Sequence, residues 1–441
     1  MSLTDDYLAA AITRGPKPSA IRAAMAPQLD ATAYMGRCLS RPVFLEATEY
    51  HQLTHDLELL HSALTRIPER LFGGDLAAFA LAVGLTEQQA AAVVRGRGTA
   101  PSRFARADLY KDADGFQLLE INMGSTAGGV DNPILNRAML ELPFIQDFVG
   151  QHELSYTETM EEVVRTILAE AKVPTGVRPT MAIADFPDSY PELERQLHKS
   201  AAMLAPMGID AVACPVDALS YADDRVWLGD RPIDIVFRLF MIEDLLKPGA
   251  VEMLEPVLQA SERGQVAIFT PLDAELYGSK GSLALLSDEA YRDLYPADEL
   301  AALDRILPWT RMVRGGPVTV DGRKVDLLEY AVAAREDLVL KPTSLHGGDG
   351  VLLGWRTDPE TWADRLGEAM DNPWVLQRRV RPLPETFPTD DGAEDWLLTW
   401  GAFLVTQGLG GFWVRGSQEL DGGIHNMSMG ATGSCCFFRS A

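Results

Sequence analysis

Two apolar–polar alternations separated by a turn-rich KDADG, within SRFARADLYKDADGFQLLEINMGSTAGG, constrain this chain more than any other feature. ADLY and FQLLEIN alternate as strands do, and KDADG offers a tight connection, so the segment reads as a β-hairpin. Side chains two apart share a face, which sets Arg106 beside Asp108 and Glu120 beside Asn122. If the turn holds an odd number of residues, the two polar pairs meet across the hairpin. Two carboxylates, an amide and a guanidinium then stand where a core strand carries apolar groups, which is costly unless the charge is cancelled. A hard cation cancels it: Mg²⁺ takes carboxylate and carbonyl oxygens and commonly arrives with nucleotide phosphates. The alternative is a solvent-facing polar strand laced with ion pairs.

With 441 residues, 47% of them apolar, the chain can bury a core spanning two or three packed units. A formal charge of −24 and the lack of a basic stripe argue against nucleic acid and anionic membranes as partners. The start MSLTDDYLAA has no signal-peptide pattern and no run reaches bilayer length, so the expected location is the cytoplasm. Cys38, Cys214, Cys435 and Cys436 form no C-x-x-C pair and are expected to be reduced, buried small residues. His51 and His55, four apart on an expected helix without the H-E-x-x-H pattern, read as structural or solvated, and Met427 and Met429 as packing residues.

Residues 1–100 carry helical spacing in LTHDLELLHSALTRI, DLAAFALAVGL and TEQQAAAVV. Helices are expected over about 132–148 and 155–171. From Pro174 and Pro179 a strand–helix alternation begins: TMAIADF, a helix closed by Gly208, IDAVACPV, then IDIVFRLF and QVAIFTP around another helical stretch. That order predicts a parallel sheet covered by helices. From about 272 follow helical GSKGSLALLSDEAYRDLY, a ribbon VTVDGRKV turning at Asp321-Gly322, and strands LVLKPT and GVLLGW around SLHGGDG. A helix over about 358–371 leads to WVLQRRV, and LLTWGAFLVTQG and GGFWVRGS come last.

In LVLKPTSLHGGDGVLLGW a strand delivers Lys341 beside a loop containing His346, Gly347, Gly348 and Gly350. Glycines let backbone N–H groups approach phosphate oxygens, and lysine adds a mobile charge. The Walker and G-x-G-x-x-G patterns are both absent; an ordinary Gly-rich turn with a surface lysine is the alternative. WVLQRRV, a strand ending in Arg378 and Arg379, has amides that could meet an adenine edge; a purely structural strand is the alternative. Arg415 on GGFWVRGS suits a phosphate or a developing oxyanion, or else a surface ion pair.

Together these pieces resemble the ATP-grasp domain of glutathionylspermidine synthase and its relatives, in which the ATP-grasp elements are circularly permuted. The family's R-x-D and, twelve residues on from the Asp, E-x-N match Arg106-Ala107-Asp108 and Glu120-Ile121-Asn122. The match runs in order over about 101–430. The resemblance implies an α/β (α+β) fold. It would comprise a helical region (1–100), the metal-binding hairpin and helices of the palm (101–172) and a Rossmann-like unit (173–271). A lid with lysine and Gly-rich loop (272–374) and the remaining palm strands with the tail (375–441) would follow. It also implies Mg²⁺ on Asp108, Glu120 and Asn122. Arg106 would be at the γ-phosphate, and Lys280, Lys341, His346, Gly347, Gly348, Gly350 and Gln377 around ATP. Arg415 would act on developing charge, and Ser125 and Thr126 would touch an acid substrate. The implied activity is ATP-dependent carboxylate–amine ligation through an acyl-phosphate, in a homodimer acting on small molecules. A small-molecule kinase or a nucleotide-binding protein without turnover are the rivals. The chain departs from the family in having Met123-Gly124-Ser125-Thr126-Ala127-Gly128 in place of a D-T-P-type segment. An amidase domain ahead of the ligase-like part is not expected, so glutathione and spermidine are not expected to transfer as substrates.

Overall fold

The computed structural model describes residues 2–29, 37–345, 347–423, 427 and 430–440. Its centre is a six-stranded antiparallel sheet. The hairpin supplies β1 (Ala105–Asp112) and β2 (Gly115–Asn122). Further strands, numbered below, complete it from the end of the chain.

Within residues 173–271 lies a four-stranded sheet of β3 (Thr180–Asp185), β4 (Asp210–Pro215), β5 (Ile235–Arg238) and β6 (Ala267–Phe269). Its order is β6-β5-β3-β4 and every pairing is parallel, as the alternation predicts. Helix Tyr190–Leu204 continues as a 3₁₀ turn and stops at Gly208, whose φ is 91. A small antiparallel sheet of Leu219–Ala222, Arg225–Leu228 and Arg231–Ile233 is inserted between β4 and β5.

A second four-stranded sheet has β7 (Thr310–Met312), β8 (Leu338–Pro342), β9 (Leu352–Leu353) and β10 (Trp374–Arg378), ordered β7-β10-β8-β9 and antiparallel throughout. Helices Leu327–Ala333 and Pro359–Ala369 accompany it. Buried Leu338, Leu340, Trp362, Leu366 and Leu376 make its own core. The ribbon Pro317–Val320 and Arg323–Asp326 turns at Asp321-Gly322, both with positive φ.

The chain closes with β11 (Glu385–Thr389), β12 (Gly392–Val405), β13 (Gly408–Ser417) and β14 (Thr432–Ser434). They complete the central sheet in the order β14-β13-β12-β1-β2, with β11 against β12.

The expected single helix over 132–148 is two, Pro133–Leu140 and Pro143–Gln151. Pro143 disfavours helical backbone at Leu142, which sits at φ −87, ψ 116. The helix expected from 155 begins at Thr159, because Ser155 instead bridges Phe438. The N-terminal helices are not a separate layer. Leu57, Leu60 and Phe79 share one buried cluster with Ala107 and Leu109 of β1 and Trp400 of β12. A short strand, Val43–Leu45, pairs in parallel with Cys436–Phe438, and Tyr50 stacks on Phe438 at 4.3 Å. The four cysteines are free and buried. No helix among the described residues is long and apolar enough to cross a membrane.

Candidate active site

The hairpin turns on two residues, Ala113 and Asp114, with Asp112 Oδ1 accepting from the Asp114 N–H at 2.9 Å. An even turn alone would set Asp108 opposite Leu119 and send the polar side chains to different faces. A bulge corrects this. Leu109 pairs with Leu118 but Asp108 pairs with Glu120, leaving Leu119 as the extra residue. Arg106 accordingly faces Asn122. The bulge also frees the Leu119 carbonyl from the ladder, and it accepts from Lys341 Nζ at 3.1 Å.

Asp108 is the hub. Arg106 binds it through two nitrogens, Nε to Oδ1 at 2.7 Å and Nη2 to Oδ2 at 3.0 Å. Arg415 Nη2 reaches Oδ2 at 2.9 Å from β13, two strands away. Gly401 of β12 lies between, paired with Asp108 on one side and Trp413 on the other. A Cβ there would sit 2.9 Å from Arg106 Cδ. Both guanidinium groups lie over the Trp413 indole, at 4.8 Å for Arg106 and 4.1 Å for Arg415. Arg415 is thus a buried partner of Asp108, not the surface ion pair entertained above. Burial alone would raise the Asp108 carboxyl, but Arg106 and then Arg415 outweigh it and hold it below its ordinary value.

Glu120 behaves similarly. Burial raises its carboxyl, Lys280 and then Lys341 and Arg106 lower it against the charge of Asp108, and the outcome is a lowered value. Lys280 Nζ lies 3.2 Å from Glu120 Oε2 and donates to the Leu345 carbonyl at 2.9 Å. It stands on the far side of Glu120 from the main cavity. Lys341 donates to Gln377 Oε1 at 2.6 Å. Burial depresses its ammonium to about 8, with Glu120 opposing and Lys280 adding to the shift.

Arg106, Asp108, Glu120, Asn122, Lys341 and Arg415 line one cavity, together with Gly347, Gly348, Val351, Trp355 and Val380. Gly347, Gly348 and Gly350 all have positive φ, at 67, 89 and 72, the backbone form that turns successive N–H groups to one side. Gly350 does not line the cavity, and His346 lies outside the described residues. Of the buried N–H donors without a partner among the described residues, Arg415 Nε and Trp355 Nε1 belong to residues that line the cavity.

The main chain of β10 is not available to an adenine edge over 375–377. It pairs with β7 on one side and β8 on the other, so any such contact must come beyond Arg378, near Val380. The Gln377 side chain holds Lys341 and donates to Thr310 Oγ1 at 3.3 Å. Ser125 is buried and its hydroxyl donates to the Arg238 carbonyl; it lines neither this cavity nor the pocket beside it, whereas Thr126 lines both. His51 and His55 are exposed on helix Ala47–Thr65. Sequence patterns missed Trp413 and Trp355, although W-x-R on one strand places Trp413 on the Arg415 face.

No protein-family model matches the chain, and no curated protein matches it. Among solved structures it is similar to a glutathione synthetase-like effector from Globodera pallida. The TM-score is 0.58 and the identity 11%, over 96% of this chain and 98% of that one. A putative gamma-glutamylcysteine synthetase from Methylobacillus flagellatus KT aligns over 88% of this chain and 87% of its own, at 12% identity and a TM-score of 0.46. At 11% identity the first likeness speaks to the fold alone: the chain shares the mixed α/β architecture of that effector.

Proposed function

We propose that the protein is an ATP-dependent carboxylate–amine ligase. The observation that carries the reading is that Arg106, Arg415 and Lys341 line one cavity with Asp108, Glu120 and Asn122 and with Gly347 and Gly348 of a left-handed glycine loop. Cations gathered around two carboxylates, with two buried N–H donors unspent, suit a polyanion that arrives with its own counter-ion.

The donor set fits Mg²⁺. Two carboxylates and an amide oxygen are what an ion that keeps waters and phosphate oxygens accepts from protein. The described residues contain no group of three or more His, Cys, Asp or Glu able to hold a metal without such help. Asp108, Glu120 and Asn122 would hold the ion, which when bound would neutralise phosphate charge. Arg106 and Arg415 would then bind anionic oxygens from the protein side, steadied by Trp413. Lys341, fixed by Gln377 and the Leu119 carbonyl, would contact phosphate. The loop 347–350 would cover the phosphates and keep water from an acyl-phosphate. A carboxylate attacking the γ-phosphorus of ATP gives that acyl-phosphate and ADP. Capture by an amine gives the amide and phosphate. These residues contribute chiefly by fixed charge in a site of low dielectric.

Glu120→Gln should lower ADP release by about 100-fold or more while circular dichroism and melting remain native. Asp108→Asn tests the hub but leaves two buried guanidinium groups under-compensated, so its loss of activity counts only if it melts normally. Normal turnover by folded Glu120→Gln would remove the site assignment. A phosphoester product in place of an amide, detected by mass spectrometry, would turn the reading to a kinase.

A further inference from the structure

Next to the nucleotide cavity lies a smaller pocket, and the two share a wall: Glu120, Asn122 and Thr126 line both. The rest of the pocket includes Glu243, Glu275, Lys280, Thr343 and Ser344. Glu243 stands on the 3₁₀ turn Ile242–Leu246, shortly after β5. Glu275 comes from helix Ala274–Gly278, and Thr343 directly follows β8. Three separate parts of the chain therefore build one recess against the metal-side face of the hairpin.

The charges here do not balance. Glu120 has Lys280 at 3.2 Å, and Glu275 has Arg238 Nη1 at 2.7 Å. Arg238 is otherwise spent, on the carbonyls of Phe240, Thr270 and Pro271 and the Thr270 hydroxyl. Those four charges cancel in pairs. Glu243 is left over: both of its carboxylate oxygens are withdrawn from solvent and neither makes a formed hydrogen bond among the described residues. Burial, then Glu275 and also Asp244, push its carboxyl up to about 7, opposed by its own backbone N–H and by the Ser344 hydroxyl, both close enough to act on it without a well-formed hydrogen bond. Thr343 is 1% exposed, and its hydroxyl is likewise unpartnered. Its backbone is pinned, with its N–H on the Pro373 carbonyl and its carbonyl accepting from the Lys280 N–H, both at 2.9 Å. Glu243 and Thr343, whose side-chain oxygens have no ion-pair partner among the described residues, thus both line one pocket.

A primary ammonium answers that arrangement, with one positive charge and three N–H donors. A divalent ion is disfavoured, since the described residues form no group of three or more His, Cys, Asp or Glu that could hold one here. A carboxylate would meet like charge. We infer that this pocket binds the primary ammonium group of the nitrogen-donor substrate, held by Glu243 and Thr343 beside the shared wall where the carboxylate is activated. The chemical step rests on the ligase reading; the binding does not. In that step the ammonium gives one proton to the Glu243 carboxylate, and the freed lone pair attacks the acyl-phosphate carbonyl carbon. The C–N bond forms, the C–O bond to phosphate breaks with its electron pair leaving on phosphate, and the second N–H proton passes to solvent.

The test is calorimetric titration of n-propylammonium, glycine and propionate into the full chain at pH 7.5, with and without a non-hydrolysable ATP analogue and Mg²⁺. Binding of n-propylammonium or glycine is expected, with propionate weaker than both. Glu243→Gln should weaken it by about 10- to 100-fold, the worth of a hydrogen bond to a charged group. Thr343→Val should weaken it less. Neither should move the affinity for the ATP analogue more than about twofold. Because Glu243→Gln removes a buried unpaired charge, it should melt no lower than the wild type. Tighter glycine binding identifies an amino acid as the donor, and tighter n-propylammonium binding a simple amine; both support the pocket. No ammonium binding to the wild type, unchanged binding to Glu243→Gln, or preference for propionate overturns it. Failure to bind the ATP analogue would instead strike the ligase reading, leaving the ammonium titration to stand by itself.

Discussion

Asp108 accepts from two arginines because glycine occupies the position between them. Its register partner Gly401 leaves room for the Arg106 side chain to cross β12, and Trp413 beyond supports both guanidinium groups. Gly401→Ala would place a methyl 2.9 Å from Arg106 Cδ and 3.2 Å from the Trp413 carbonyl. It should destabilise the protein by about 1–3 kcal/mol and lower kcat/KM for ATP. Melting and ADP release measured together check this, and wild-type values in both would mean that the Arg106 position is unimportant. Lys341 makes a second prediction at this scale. With its ammonium depressed from 10.5 to about 8 it is charged below that pH and neutral above it. The value of kcat/KM for ATP, which reports the free enzyme, should therefore fall on the alkaline side near pH 8. Lys341→Arg should lose that limb because guanidinium stays charged. Stability moves the other way. Between about 8 and 10.5 the unfolded chain holds a proton that the native state lacks, so this group's contribution to nucleotide-free stability rises with pH. An unchanged limb in the arginine variant would refute the assignment.

Among elements, the hairpin shows both the reach and the limit of reading the chain directly. Alternation identified the side chains that share a face, because period two is local. The bulge at Leu119 is not written in any residue type, and without it the same four residues would be divided between faces. The inserted sheet over 219–233 was missed for a related reason. Its first turn uses Asp223 and Asp224 at φ 49 and 58, a left-handed pair without the glycine that usually signals it. The strands 432–434 and 436–438 are three residues each, too short for alternation to register. Glu243 and Thr343 were invisible for a different reason: their significance lies in having no partner, which only the assembled fold reveals. The sheet β7-β10-β8-β9 has its own core around Trp362, whose Nε1 donates to the Ala331 carbonyl at 2.9 Å. Trp362→Ala should cost about 3–5 kcal/mol and weaken ATP binding, since Lys341 rides on β8. Hydrogen exchange should show the loss concentrated in 310–378. Uniform loss across the central sheet would contradict an independently cored element.

For the molecule as a whole, the parallel sheet was predictable from the strand–helix order, and helical spacing identified the first hundred residues as helical. Their role was not legible, because a helix that packs on a sheet carries the same apolar stripe as one that packs on another helix. The shared core of Leu57, Leu60 and Phe79 with β1 and β12 ties those helices to the back of the site-bearing sheet. The charge of −24 is compatible with a site built from cations, since Arg106, Lys280, Lys341 and Arg415 are all buried. The pairing of Val43–Leu45 with Cys436–Phe438 has a temporal consequence. During synthesis the early strand waits, its edge unsatisfied, while nearly four hundred further residues are translated. Arg415 likewise reaches Asp108 only after β13, the fifth strand of the central sheet in order of synthesis, has emerged from the ribosome. For most of its translation the nascent chain therefore lacks the completed Asp108 cluster, and its half-built sheet is a surface that a chaperone would have reason to shield.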